Sequence, residues 1–132
     1  MKTKKTKFDY RTIKSFEDAC KKIGVDPTAL PDVSMIPEEF RASIIAMYKL
    51  YVIYKAINNE WEANYGDSNQ EKYWPYYRVL SSGSGFGFSA TVCTCDISLA
   101  DVGSRLCTYS REVALYIADQ FQEEYKAIFL KS

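Results

Sequence analysis

The stretch from Pro37 to Trp61 constrains the fold more than any other part of this chain. Phe40, Ile44, Met47, Tyr51, Tyr54 and Trp61 recur there at helical intervals, and Ala46, Leu50, Ile53 and Ile57 form a second apolar row. Only the line through Arg41, Lys55, Asn59 and Glu62 is plainly polar. Pro37 suits a first helical position, and Glu38 and Glu39 complement the positive end of a helix dipole. A helix that is apolar over most of its circumference belongs either at the centre of a core or on a face shared with a partner subunit. The sequence alone favours the centre.

The flanking segments fall into place around it. Ser15 reads as an N-cap with Asp18 as its capping-box partner. Phe16, Ala19, Cys20 and Ile23 line one helical face that Gly24 stops at the C′ position. Tyr73-Trp-Pro-Tyr-Tyr-Arg-Val-Leu80 reads as a strand in which Pro75 forces an edge position or a bulge. Phe86, Phe88, Ala90 and Val92 alternate with small residues, the period of a half-buried strand. A short strand over Ser104 to Thr108 precedes a last helix capped by Ser110, with Val113, Ile117, Phe121, Tyr125 and Ile128 on its inner face. The expected class is α+β in the order α-α-β-β-β-α. Its expected architecture is a three-stranded antiparallel sheet with helices, including the long central one, packed on one face.

With 132 residues and 47% hydrophobic side chains, the chain has material for one domain with its own core. Its 17 basic and 17 acidic side chains cancel, but unevenly. Residues 1–14 carry Lys2, Lys4, Lys5, Lys7, Arg11 and Lys14 against Asp9 alone, which leaves residues 15–132 acidic. The expected organisation is therefore a basic flexible arm, 1–14, and a single α+β domain, 15–132. An acidic body repels phosphate, so the arm reads first as a solvated tail. No secretory signal is evident. The longest nearly uncharged apolar run, Ile44 to Tyr54, falls short of the ~20 residues that a membrane span needs. A cytoplasmic protein without membrane contact is the expectation.

The motifs that would carry chemistry are weak. The chain has no histidine, so no Ser-His or Cys-His nucleophile pair can exist. Cys20, Cys93, Cys95 and Cys107 lack the paired knuckles of a zinc site. They read as reduced, mostly buried thiols. Cys107, just ahead of the last helix, has the best position for activation, but a buried structural role outweighs it. Asp96 and Asp101 bracket one loop and read as caps before they read as an acid–base pair. Gly83-Ser-Gly-Phe-Gly87 is followed by a strand, which points to a hairpin and away from a dinucleotide loop. No catalytic residue, metal or cofactor is expected, and enzymatic activity stays open with the balance against it.

Several phrases carry a family likeness. Ala29-Leu-Pro-Asp-Val-Ser-Met35, Lys72-Tyr-Trp-Pro-Tyr76, Gly85-Phe-Gly-Phe-Ser89 and Val102-Gly-Ser-Arg-Leu-Cys107, followed by Ala114, Phe121 and Tyr125, resemble small uncharacterised proteins of gut Bacteroidetes, their phages and mobile elements. The resemblance spans nearly all of the chain after the arm. It implies a phage-associated origin, hence a host-cell cytoplasm, and brings no site residue with it.

Function is expected from contact. Tyr and Trp are typical interface anchors, and the chain has eleven and two of them. The candidate binding residues are Trp74, Tyr76, Tyr77, Arg78, Phe86, Phe88 and Arg105. They point to a non-enzymatic binding or accessory protein whose partner is another protein or its own copy. The runner-up is a binder of single-stranded nucleic acid that stacks bases on the sheet aromatics and uses the basic arm.

Overall fold

The computed structural model describes residues 7–78, 89–95 and 102–130. Helix α1 (Phe16–Ile23) starts where the Ser15 hydroxyl accepts from the Asp18 amide at 3.1 Å. The Asp18 carboxylate reaches one residue further back than a standard capping box and accepts from the Lys14 amide at 3.0 Å. Gly24, at φ 76°, ends the helix in the left-handed conformation that costs glycine little. Helix α2 (Glu38–Asn58) follows, with Glu38 and Glu39 in its first turn.

Strands β1 (Lys72–Arg78) and β2 (Ser89–Cys95) form an antiparallel ribbon, with Lys72 opposite Cys95 and Arg78 opposite Ser89. Helix α3 (Arg111–Gln120) is capped by Ser110, whose hydroxyl accepts from the Val113 amide at 3.2 Å. Helix α4 (Gln122–Phe129) completes the described part.

This arrangement corrects the expected fold. The described residues are mostly helical, in four helices, and they do not form a three-stranded sheet. Ser104 to Thr108 contributes only an isolated bridge, in which Tyr73 and Thr108 exchange amide bonds of 2.9 and 2.8 Å. Pro75 gives the reason. Two residues along from Tyr73, its nitrogen faces the same side, where a continuing strand would need an amide donor that proline lacks. The bridge therefore stops after one pair. The expected single last helix is also divided. At Phe121 the backbone leaves the helical region (φ −116°, ψ 39°), and both Phe121 and Tyr125 still reach the core. The expected end of α2 at Trp61 moves back to Asn58. The Gly-rich turn and the Asp96–Asp101 loop lie outside the described residues.

The core gathers around α2. Leu50, Ile53 and Ile57 are fully buried with Val113, Ile117, Phe16 and Ala19. Each such aliphatic side chain contributes about 1.5–3 kcal/mol. Within this core the Tyr54 and Tyr125 hydroxyls bond each other, and burial pushes both phenols well above their ordinary value of 10.0. A smaller cluster holds Trp74 and Cys107 against Trp61, Ala63 and Val102. Lys72 is buried as well. Its ammonium donates to the Gln70 carbonyl at 3.0 Å and lies 4.9 Å from the centre of the Tyr65 ring.

Residues 7–14 are docked on α3. Ile13 is buried, the Tyr116 hydroxyl donates to its carbonyl at 2.6 Å, and the Gln120 amide donates to the Lys14 carbonyl at 2.8 Å.

Candidate functional site

Of the two apolar rows on α2, one is buried along its length and the other reaches the core only at Tyr54. Ala46, Leu50, Ile53 and Ile57 are buried. About a third of a turn round the helix, Phe40, Ile44 and Tyr51 remain 50%, 37% and 41% exposed, and Met47 is half-buried. Spacings of four, three and four keep these four side chains on one face. Helices α1 and α4 pack against other sides of α2, and the outward row is left to solvent. The long helix is thus central along one face and open along the other. An outward face normally holds polar residues, so this apolar stripe marks a contact surface.

Past Tyr51 the stripe runs into a cleft of about 510 Å³. Tyr48, Tyr51, Lys55, Asn58 and Asn59 form one wall from the end of α2. Trp61 to Ala63 follow from the turn after the helix, and Ser104 and Arg105 close the far side. The two sides come from distant parts of the sequence, and Asn58 joins them. Its side-chain amide donates to the Cys107 carbonyl at 2.9 Å, and its oxygen accepts from the Thr108 hydroxyl at 2.6 Å. Because Thr108 also pairs with Tyr73, the cleft wall is tied to both α2 and β1.

Asn59 turns the chain at the mouth of the cleft. Its φ of 56° with ψ of −108° is uncommon for any residue with a side chain and costs about 1–3 kcal/mol. The turn brings the Trp61 amide within 2.9 Å of the Asn58 carbonyl and places the Trp61 ring 6.2 Å from that of Tyr109. The aromatic wall is therefore fixed by packing, and the backbone that carries it is held under strain.

Electrostatics give the cleft a direction. Lys55 and Arg105 line it against the single carboxylate of Glu62. Among the described residues neither cation forms an ion pair. The other end of α2 is acidic, with Asp32 ahead of it and Glu38 and Glu39 in its first turn, turned away from the exposed row. A second groove, of about 320 Å³, lies between α2 and α4, where Ala42, Ile45, Ala46 and Ala127 meet the charged side chains of Lys49, Glu123 and Glu124.

Set beside protein-family models, curated proteins and solved structures, the chain matches none. Its site has to be read from geometry. Among the described residues no group of three or more His, Cys, Asp or Glu is placed to hold a metal ion. Cys20 and Cys107 are buried, and burial pushes the Cys20 thiol up. No helix among the described residues is long and apolar enough to cross a membrane.

The structure separates the candidate binding residues. Arg105 is exposed and lines the cleft. Trp74 is buried with Cys107. Tyr77 turns inward, donating to the Ala118 carbonyl at 3.0 Å, with its ring 4.9 Å from Tyr125. The side chains of Tyr76 and Arg78, and residues Phe86 and Phe88, lie outside the described part. Sequence reasoning missed Phe40, Ile44, Tyr48, Tyr51, Lys55, Asn59 and Trp61 as site residues. For Phe40, Ile44 and Tyr51 the signal was their apolar row beside a second one that already supplies the core; Tyr48, Lys55 and Asn59 carry no such signal.

Proposed function

We propose that this is a non-enzymatic contact protein that acts through the outward face of α2 and the cleft at its end. The exposed row Phe40, Ile44, Met47 and Tyr51 carries this reading, because it exposes aromatic and aliphatic surface where the fold itself requires none. The cleft adds Trp61, Tyr48 and Arg105, residue types that anchor protein interfaces when they are desolvated. A cytoplasmic setting belongs to the same reading, since Cys20 is a buried free thiol. A phage or mobile-element origin rests on the quoted sequence phrases alone. A nucleic-acid platform on β1 has less support, because Trp74 and Tyr77 already serve the interior.

Oxidative footprinting tests the proposal, comparing dilute purified protein with the protein in the cells that make it. Met35, Phe40 and Tyr51 are expected to be protected in the cell, with Phe129, exposed on α4, labelled equally in both. Equal labelling of the α2 row in both settings would refute the reading.

A further inference from the structure

We infer that the cleft at the end of α2 is a binding site for a small aromatic anion, a flat ring that carries a phosphate or a carboxylate. The inference rests on the reading of the cleft as a contact site and names the chemistry that it takes. Charge, aromatic surface and a strained turn converge there.

Lys55 enters the cleft from α2 and Arg105 from the far side, so two cations face one space from distant parts of the sequence. Among the described residues neither forms an ion pair, and the Asn59 amide and Ser104 hydroxyl beside them have no hydrogen-bond partner. These donors stand against the single carboxylate of Glu62. The helix end does not require both cations. The negative end of the α2 dipole lies here, and Lys55 in the last turn already answers it. Arg105 comes from outside the helix and is left over. Its guanidinium can hold a phosphate or a carboxylate through two parallel bonds. Because residues 15–132 carry an excess of carboxylates, a net positive cleft is a local exception that draws anions to one place.

Tyr48, Tyr51 and Trp61 line the same space. Trp61 is held before any ligand arrives, packed against Trp74 and Cys107 with its ring 6.2 Å from that of Tyr109. A pre-set ring loses little freedom on binding, and it stacks with any flat partner. The turn at Asn59, at φ 56°, is what brings Trp61 round to Lys55. Strain kept at the mouth of a cleft serves the geometry of the site, since it costs stability. The volume of about 510 Å³ is that of a small-molecule site, for which roughly 300–1,000 Å³ is usual. A nucleoside monophosphate matches the lining group by group, with its base on Trp61, its phosphate between Arg105 and Lys55, and its ribose hydroxyls donating to Glu62. A simple aromatic carboxylate uses the same ring and cations and leaves Glu62 unused.

The test titrates the dilute protein with adenosine monophosphate, indole acetate, adenosine and inorganic phosphate, and follows the indole N–H signals of its two tryptophans by NMR. Trp61→Phe assigns them. At least one of the two aromatic anions should saturate the protein and move the Trp61 signal more than that of Trp74. Adenosine and phosphate, each with half of the chemistry, should bind at least about tenfold more weakly. Tighter binding of adenosine monophosphate than of indole acetate identifies a phosphate ligand, and the reverse order a carboxylate. Arg105→Glu and Lys55→Glu, both at exposed positions, should each weaken binding about tenfold, as loss of a charge-assisted hydrogen bond does. Lys21→Glu, the same change of charge on exposed α1, should leave it unchanged. The inference is overturned if neither anion saturates by about 1 mM, if adenosine binds as well as its monophosphate while indole acetate does not bind, or if Lys21→Glu costs as much as Arg105→Glu. Protection of the α2 row in the cell is read separately. If it persists while the titration fails, the contact reading stands without this ligand; if both are missing, both fail.

Discussion

Replacing Tyr54 by Phe removes one oxygen atom from the centre of the molecule, and the cost follows from the partner left behind. Tyr54 and Tyr125 are buried, and their hydroxyls bond each other. Deleting one hydroxyl leaves the other without its partner in a site that water does not reach, which costs about 1–3 kcal/mol. Tyr125→Phe should cost a similar amount. In the double variant no polar group is stranded, and the ring contact between Tyr77 and residue 125, at 4.9 Å between centroids, is kept. Its stability should lie within about 1 kcal/mol of wild type, a coupling of about 3 kcal/mol between the two sites. Urea unfolding of the dilute protein measures this directly as midpoints at constant m-value. If the double variant loses as much as the two single variants together, the hydroxyls are satisfied independently and the reasoning is wrong.

Asn58→Ala should destabilise by about 2–4 kcal/mol, because it strands both the Cys107 carbonyl and the Thr108 hydroxyl. Hydrogen exchange at Leu106 to Thr108 should speed up more than exchange in α1, and uniform acceleration would show that Asn58 does not hold the cleft wall. The buried phenols predict a loss of stability in alkali. Their folded-state values lie above the unfolded 10.0, so their contribution is complete below pH 10 and falls as pH rises beyond it. Tyr54 and Tyr125 should each contribute a slope of about 1.4 kcal/mol per pH unit above that point. Tyrosinate absorption from these residues should appear together with unfolding, and its appearance in the folded protein near pH 10 would contradict their burial.

The sequence shows local structure better than assembly. Ser15, Gly24 and Ser110 declare their helix ends because capping is a matter of a few adjacent atoms. Pro75 announces a missing donor, but which neighbour would miss it depends on how Thr108 approaches Tyr73. The break at Phe121 has neither glycine nor proline to mark it. It reflects two aromatic residues reaching one core. The two rows of α2 are almost equally apolar, so composition cannot say which faces inward, and that choice is made by where α1 and α4 pack. The cleft is legible only in part for the same reason. Arg105 stands out as an arginine near aromatics, whereas its association with Asn58 depends on a contact between residues 50 apart.

The central claim is that the α2 face turned away from the core serves contact and not the interior. Urea midpoints of Ile44→Asp at high dilution, recorded beside oxidative footprinting of the same variant in cells, test it most directly. The account predicts a dilute stability within about 0.5 kcal/mol of wild type, as for an exposed site. It also predicts that Phe40 and Tyr51 lose their protection in the cell. A variant that loses several kcal/mol as a core position would, or one whose row stays as protected as in wild type, contradicts it.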